Sequence, residues 1–137
     1  MSIFSLKNQV SNSSLKTLKS YKIDKIVFGG AGLTRQDGCV VFVPFSAPGD
    51  EVVLKIITTK KSYKIATINQ LKKNGKDRIH PRCPHYQNCG GCQFQHLSYE
   101  AQLEAKCSFV SEAIGFKINI EPSPKTWLYR SHIRLNL

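Results

Sequence analysis

From Tyr21 to about Asn74, hydrophobic and polar positions alternate over short runs separated by turn-forming residues, the mark of brief strands. Lys22–Phe28 alternates, with Asp24, Ile26 and Phe28 on one side and Ile23, Lys25 and Val27 on the other. Gly29-Gly30-Ala31-Gly32 breaks this strand and reads as a hairpin with residues at positive φ. It lacks G-x-G-x-x-G spacing and no helix follows, which excludes a dinucleotide fingerprint. Asp37-Gly38 is a hairpin signal, and Cys39–Val43 is a compact β-branched run that Pro44 ends. Ser46-Ala47-Pro48-Gly49-Asp50 is another turn. Glu51–Thr58 and Ser62–Gln70 are two more strands, joined through Thr59-Lys60-Lys61. Strands of this length and spacing predict a small closed barrel of the OB-like kind. Phe28 and Phe42 lie in alternating apolar runs and are expected in its core.

The period then changes. Lys72–Arg78 is a polar connection containing Asn74-Gly75, which places a boundary near Asp77. Beyond a cysteine-rich stretch, Tyr99, Leu103, Cys107, Val110 and Ile114 recur on one helical face. Ser98 suits the N-cap, Glu100 the first turn and Gly115 the position after the last turn. This face is expected to pack beside the cysteine-rich stretch, with Cys107 as a small buried hydrophobe; Cys39 reads the same way within its strand. Leu128–Leu137 alternates again and predicts a strand. Such a strand needs a partner edge and a covering layer, so the expectation is a truncated or split product of a longer chain.

The predicted architecture is therefore mainly β with one helix. Residues 1–20, polar and lysine-bearing, form a flexible leader; 21–77 form the barrel; 78–115 hold the cysteine loop and helix; 116–137 begin a truncated domain.

Charge adds a partner. Of the net charge of +11, residues 1–79 carry 14 Lys and Arg against 5 Asp and Glu, while residues 80–137 carry 6 against 4. The positive field belongs to the barrel, and its natural partner is a polyanion such as RNA. Lys55, Lys60, Lys61, Lys64, Lys72 and Lys73 crowd the last two strands, with Lys76 following. Tyr63 lies among them, where it either stacks a base or packs at the barrel end. An odd cysteine count and the lack of a secretory apolar segment point to a reducing cytoplasm. No apolar run reaches membrane-spanning length.

The densest chemistry is Cys83-Pro84-His85-Tyr86-Gln87-Asn88-Cys89-Gly90-Gly91-Cys92, three cysteines at C-x5-C-x2-C spacing. A Cys89–Cys92 disulfide would be strained and would leave Cys83 over. Soft thiolates converging from one loop suit a metal or iron–sulfur centre. Gly90-Gly91 would let the turn wrap tightly and aim backbone N–H groups at sulfides. A structural zinc site of Cys3His type, with His80, His85 or His96 as fourth ligand, is an equal alternative.

Order and spelling together resemble a known family. Val27-Phe28-Gly29-Gly30-Ala31-Gly32-Leu33, Asp37-Gly38, Val41-Phe42-Val43-Pro44 and Pro48-Gly49-Asp50 resemble a TRAM domain. Cys83-Pro84-His85 through Cys89-Gly90-Gly91-Cys92-Gln93-x-Gln95-His96-Leu97-x-Tyr99-x-x-Gln102-Leu103-x-x-Lys106 is similar to the adjoining signature of bacterial RNA (uracil-5-)-methyltransferases. Pro122-Ser123-Pro124 with Trp127-x-Tyr129-Arg130 resembles the start of that family's central domain.

The resemblance implies a 4Fe–4S cluster held by Cys83, Cys89, Cys92 and a fourth cysteine outside this chain. It implies methylation of uridine C5 in RNA, 23S ribosomal RNA foremost, with S-adenosylmethionine as donor in the full-length enzyme. A catalytic cysteine would add to C6 and a carboxylate would remove the C5 proton. No methyl-donor loop is visible here, and neither Cys39 nor Cys107 has a base in view. No residue is therefore assigned a catalytic role. The chain is expected to be inactive alone, with RNA and a separate polypeptide carrying the catalytic domain as partners. A standalone zinc-type RNA-binding module without enzymatic activity is the rival expectation.

Overall fold

The computed structural model describes residues 19–132. Most of the expected leader, and residues 133–137 of the expected final strand, lie outside that range. Six strands, β1 (Ser20–Lys22), β2 (Lys25–Ile26), β3 (Gly32–Gln36), β4 (Cys39–Val43), β5 (Glu51–Thr59) and β6 (Tyr63–Lys73), precede one helix, α1 (Tyr99–Ile114). The strands form one sheet in the order β1-β5-β6-β4-β3-β2, antiparallel throughout except for β4 beside β6.

The sheet is curled. Its two edge strands, β1 and β2, are separated by only Ile23 and Asp24, so one short segment touches both edges. Across that step, Ile23 N–H donates to Asp50 O on one side and Asp24 N–H to Leu33 O on the other. The Thr34 hydroxyl ties β3 back to Lys22 O at 2.7 Å. The β5–β6 ladder carries three register shifts, at Glu51/Val52, Val53/Leu54 and Ile56/Thr58. Such bulges bend a strand and raise its twist. They also let Val52 and Val53, neighbours in sequence, both be buried.

Turn chemistry follows the sequence. Asp37 and Gly38 both sit at positive φ, the mirror-image turn that matches strand twist, and pair Gln36 with Cys39. Gly29 and Gly30 are also at positive φ, and Val27 and Ala31 close the turn between β2 and β3. The inside is filled by Ile23, Val41, Val43, Val52 and Ala66, with Leu54, Ile56 and Ile68 packed against them. β6 runs on to Lys73, which pairs with Glu51; the stretch expected as connection from Lys72 therefore begins as strand.

Phe28 is not in the core. It is 87% exposed, with its ring edge-to-face with Phe109, ring centroids 6.1 Å apart. Ile23 faces the core inside the sheet, whereas Ile26 joins a separate cluster with Ala47 and Leu97; Phe28 lies past the end of β2, at the exposed rim of that cluster. Phe42 is half-buried against Tyr63.

The helix begins and ends where its caps predict. The Ser98 hydroxyl accepts from Ala101 N–H at 3.3 Å, and Gly115 is left-handed, donating to Ser111 O. Its packing face differs from the expected one. Ala101, Ala105 and Phe109 pack on a second core of Ile26, Ala47 and Leu97. Two small side chains and one aromatic ring carry this contact, and all three stay partly exposed. On the expected face Tyr99 and Cys107 are met by the following segment, through Ser123 N–H to the Tyr99 hydroxyl and the Cys107 thiol to Ile118 O. Val110 and Ile114 stay exposed, and Cys107 is half-buried. Residues 128–132 make no strand: Leu128 has positive φ and is 94% exposed. Among the described residues, no helix is long and apolar enough to cross a membrane.

Candidate nucleic-acid interface and cysteine centre

The lysines of the last two strands separate along the β5–β6 hairpin. Lys60 and Lys61 occupy its exposed tip, with Tyr63 and Lys64 opening β6. Lys72 and Lys73 end β6 at the opposite end. The eight residue steps of strand from Lys64 to Lys72 correspond to roughly 25 Å. Lys55 lies midway, opposite Thr67. The seven residues are thus spread along the hairpin rather than gathered in one patch. Two of the lysines are partly engaged: Lys64 donates to Gln36 Oε1 at 3.2 Å, and Lys73 lies 3.7 Å from Glu51. Tyr63 is half-buried with its ring edge-on to Phe42, centroids 5.6 Å apart.

At the root of the sheet is a buried acid that sequence reasoning took for a turn residue. The Asp50 carboxylate is fully buried. It accepts from Ala47 N–H at 2.6 Å, Gly75 N–H at 2.8 Å, Arg78 Nε at 3.0 Å and Arg78 Nη2 at 2.6 Å. Arg78 Nη2 also reaches Phe45 O at 2.9 Å. Burial pushes the Asp50 pKa up, but the Arg78 hydrogen bond, the two backbone donors and the Arg78 charge outweigh it, and the carboxyl sits below its ordinary range. Gly75 must be glycine here: a Cβ would collide with the Pro48 carbonyl oxygen.

The cysteine loop leaves and returns beside this ion pair. Arg78 and Leu97 form an antiparallel bridge; Ile79 N–H donates to His96 O and Ser98 N–H to Asp77 O. Inside the loop, Cys89 N–H and Asn88 N–H both reach His85 O, a helical turn that brings Cys89 back over His85. Cys83 N–H is held by Gln95 Oε1 at 3.1 Å. Tyr86 anchors the loop to the sheet. Its hydroxyl lies 2.6 Å from His96 Nδ1 and 2.8 Å from Gln93 O, and its ring packs edge-on against Phe45.

His96 is fully buried, with Nε2 3.0 Å from Ser46 O. A carbonyl only accepts, so Nε2 carries the proton, and the single Tyr86 hydroxyl hydrogen is shared between Nδ1 and the Gln93 carbonyl. Burial, then the Arg78 charge, push the His96 pKa below its ordinary value. Burial pushes the Tyr86 phenol up to about 12. Both ring nitrogens of His96 are committed, which removes it from the candidate zinc ligands.

Cys83, Cys89 and Cys92 border one small hollow of about 20 Å³ together with His85. All three are free thiols, Cys83 half-buried and the other two exposed. Among the described residues, no three Cys, His, Asp or Glu side chains come close enough to hold a metal ion. The loop therefore gathers the thiols around a common space without closing them into a coordination sphere. Three thiols beside one imidazole suit soft-metal chemistry, either thiolate-bound iron or zinc.

No family model matches the chain. An uncharacterized RNA methyltransferase of Protochlamydia amoebophila is 40% identical over 123 residues, covering 85% of this chain and 28% of the relative. The 23S rRNA (uracil(1939)-C(5))-methyltransferase of Shewanella sediminis is 32% identical over 90% of this chain and 29% of its own length. The crystal structure of the Pyrococcus abyssi tRNA (uracil-54, C5)-methyltransferase with S-adenosyl-L-homocysteine superposes with a TM-score of 0.54 at 31% identity, over 77% of this chain and 24% of that one. The chain spans less than a third of the length of each of these relatives.

Proposed function

We propose that this chain, which belongs to the RNA (uracil-5-)-methyltransferase family, is the RNA-holding and cysteine-centre portion of an S-adenosylmethionine-dependent enzyme that methylates C5 of a uridine, with 23S ribosomal RNA as the leading substrate. The observation that carries this reading is the 31% identity and shared fold with a solved tRNA uracil methyltransferase over 77% of the chain. In this reading, methyl transfer belongs to the remaining length of such enzymes. Lys55, Lys60, Lys61, Lys64, Lys72 and Lys73 hold phosphates along the hairpin, and Tyr63 shapes its tip. Cys83, Cys89 and Cys92 would hold a 4Fe–4S cluster with one further ligand from the rest of the enzyme. Bound there, the cluster would supply a rigid thiolate-bound node for the exposed loop; methyl transfer itself needs no electron from it.

Anaerobic purification followed by visible absorbance and iron analysis tests the centre. Brown protein with iron bound through these cysteines is the expected result; colourless protein with stoichiometric zinc would overturn the cluster. RNA binding is tested separately by its salt dependence. Six phosphate contacts to a single strand predict a log–log slope of about −4, and a salt-independent affinity would contradict this role of the hairpin lysines.

A second reading is favoured by one contact set: His85 borders the same hollow as the three cysteines. This is the donor set of a Cys3His zinc site, and it supports a zinc-type RNA-binding module without enzymatic activity. His85→Ala discriminates, since it would release zinc and leave a cysteine-held iron cluster in place.

A further inference from the structure

A second basic region lies away from the hairpin. Where the chain passes back over the start of α1, a hollow of about 370 Å³ opens, bordered by Tyr99, Gln102, Lys106, Lys125, Trp127 and Tyr129. Its size falls within the range of small-molecule sites, roughly 300–1,000 Å³. The segment that forms its far wall is pinned by Ser123 N–H to the Tyr99 hydroxyl at 2.7 Å. No carboxylate borders the hollow. A neighbouring one of about 270 Å³ has three carboxylates, Asp24, Asp77 and Glu104, on its border beside Lys25 and Lys76 and is less suited to an anion.

The aromatic wall is open and positively flanked. Trp127 is 41% and Tyr129 61% exposed. The Arg82 guanidinium stands over the Trp127 ring at 5.0 Å, and Arg130 over Tyr129 at 5.7 Å. Among the described residues, neither Lys106 nor Lys125 enters an ion pair. Gln102 donates its amide N–H to Leu97 O at 3.0 Å, leaving its own carbonyl oxygen as an acceptor for a base N–H. Trp127 also borders a hollow shared with Cys92, so this wall adjoins the cysteine loop.

We propose that this hollow seats one unstacked nucleotide of a single-stranded RNA segment. The base lies against Trp127 and Tyr129, and Lys106 and Lys125 hold the flanking phosphates. Stacking on an aromatic face with cationic neighbours recognises any base, while the lysines select the strand for its charge. The inference rests on the RNA-binding reading above and adds a second, separate contact point to it.

Trp127 is the chain's single tryptophan, so its emission reports on this aromatic wall. The 137-residue chain is titrated with a labelled oligouridylate, following label anisotropy and tryptophan emission together. Quenching that tracks anisotropy is expected. Trp127→Ala should weaken binding about 5- to 150-fold, the value of one stacked base, with unchanged circular dichroism. Trp127→Phe should stay within a few fold, and Lys125→Ala should lower the salt slope by about 0.7. Binding with unaltered emission and no loss in Trp127→Ala would overturn the hollow and leave the hairpin lysines standing. Absence of any anisotropy change would remove both. Quenching by uridine monophosphate at the oligomer's affinity would overturn a strand site in favour of a mononucleotide site.

Discussion

Inside the curled sheet, Ile23, Val41, Val43 and Val52 are wholly shut off from water, whereas between Ile79 and Gln95 no residue is buried. The two regions adjoin, yet different physics specifies them. The sheet is fixed by apolar burial spread over many contacts, so it tolerates the loss of one. The loop is fixed by a few hydrogen bonds at its base, chiefly those of Asp50, Arg78, Tyr86 and His96. Polar ties of this kind are directional and few, so removing one partner leaves a buried group stranded.

The sharpest break in that contrast is Asp50→Ala, which leaves the Arg78 guanidinium and two backbone N–H groups without their acceptor. A loss of about 3–5 kcal/mol is expected by urea unfolding. A loss below about 1 kcal/mol would mean that the junction is not fixed by this acid.

Acid attacks the same ties. The Asp50 pKa is depressed, so its contribution is full above the unfolded value of about 3.9 and is lost as pH falls through the folded value. The His96 pKa is depressed as well; below about pH 6.5 the unfolded chain takes up a proton that the buried imidazole refuses. Both signs agree. Melting temperature should fall steadily from pH 7 towards pH 4, and a maximum near pH 5 would contradict the assignment of His96 as neutral and buried.

Tyr86→Phe is gentler. It keeps the ring against Phe45 and deletes the hydroxyl contact to His96, for about 1 kcal/mol. Hydrogen exchange should quicken at Cys89 and Ile79 and stay unchanged in β3 and β4. Uniform quickening would show that loop and sheet open as one unit. The smallest effect on stability belongs to the double variant Lys60→Ala, Lys61→Ala at the exposed hairpin tip, within about 0.5 kcal/mol. Its effect should appear in binding instead, as a salt slope shallower by about 1.4. Destabilisation beyond that limit would place these lysines in the fold rather than the interface.

What the sequence made legible follows the same division. Cys39–Val43 was bounded by its β-branched run and Pro44, and Ser98 and Gly115 marked the helix ends, because each signal is local. Phe28 keeps the side expected of it with Ile26, but nothing local shows that this side is left open past the end of β2. The docking face of α1 was misread because Ala101 and Ala105 carry little hydrophobic weight, yet with Phe109 they are what meets the second core. Asp50 read as a turn residue after Pro48-Gly49, since nothing in sequence joins it to Arg78, 28 positions on. Spacing singled out Cys83, Cys89 and Cys92; they border one hollow, though among the described residues no three such side chains come close enough to hold a metal ion. His96 stood out as a candidate ligand, but its two hydrogen-bond partners come from distant segments and only the fold reveals them.

The short segment from Ser20 to Ile26 serves β5 with its first half and β3 with its second. It works as the clasp of a bracelet. Peeling it away would bare the free margins of both β5 and β3 in one event, offering two adhesive borders to any passing extended chain. The integrity of the curled sheet, and its resistance to self-association, is therefore concentrated in seven residues centred on Ile23.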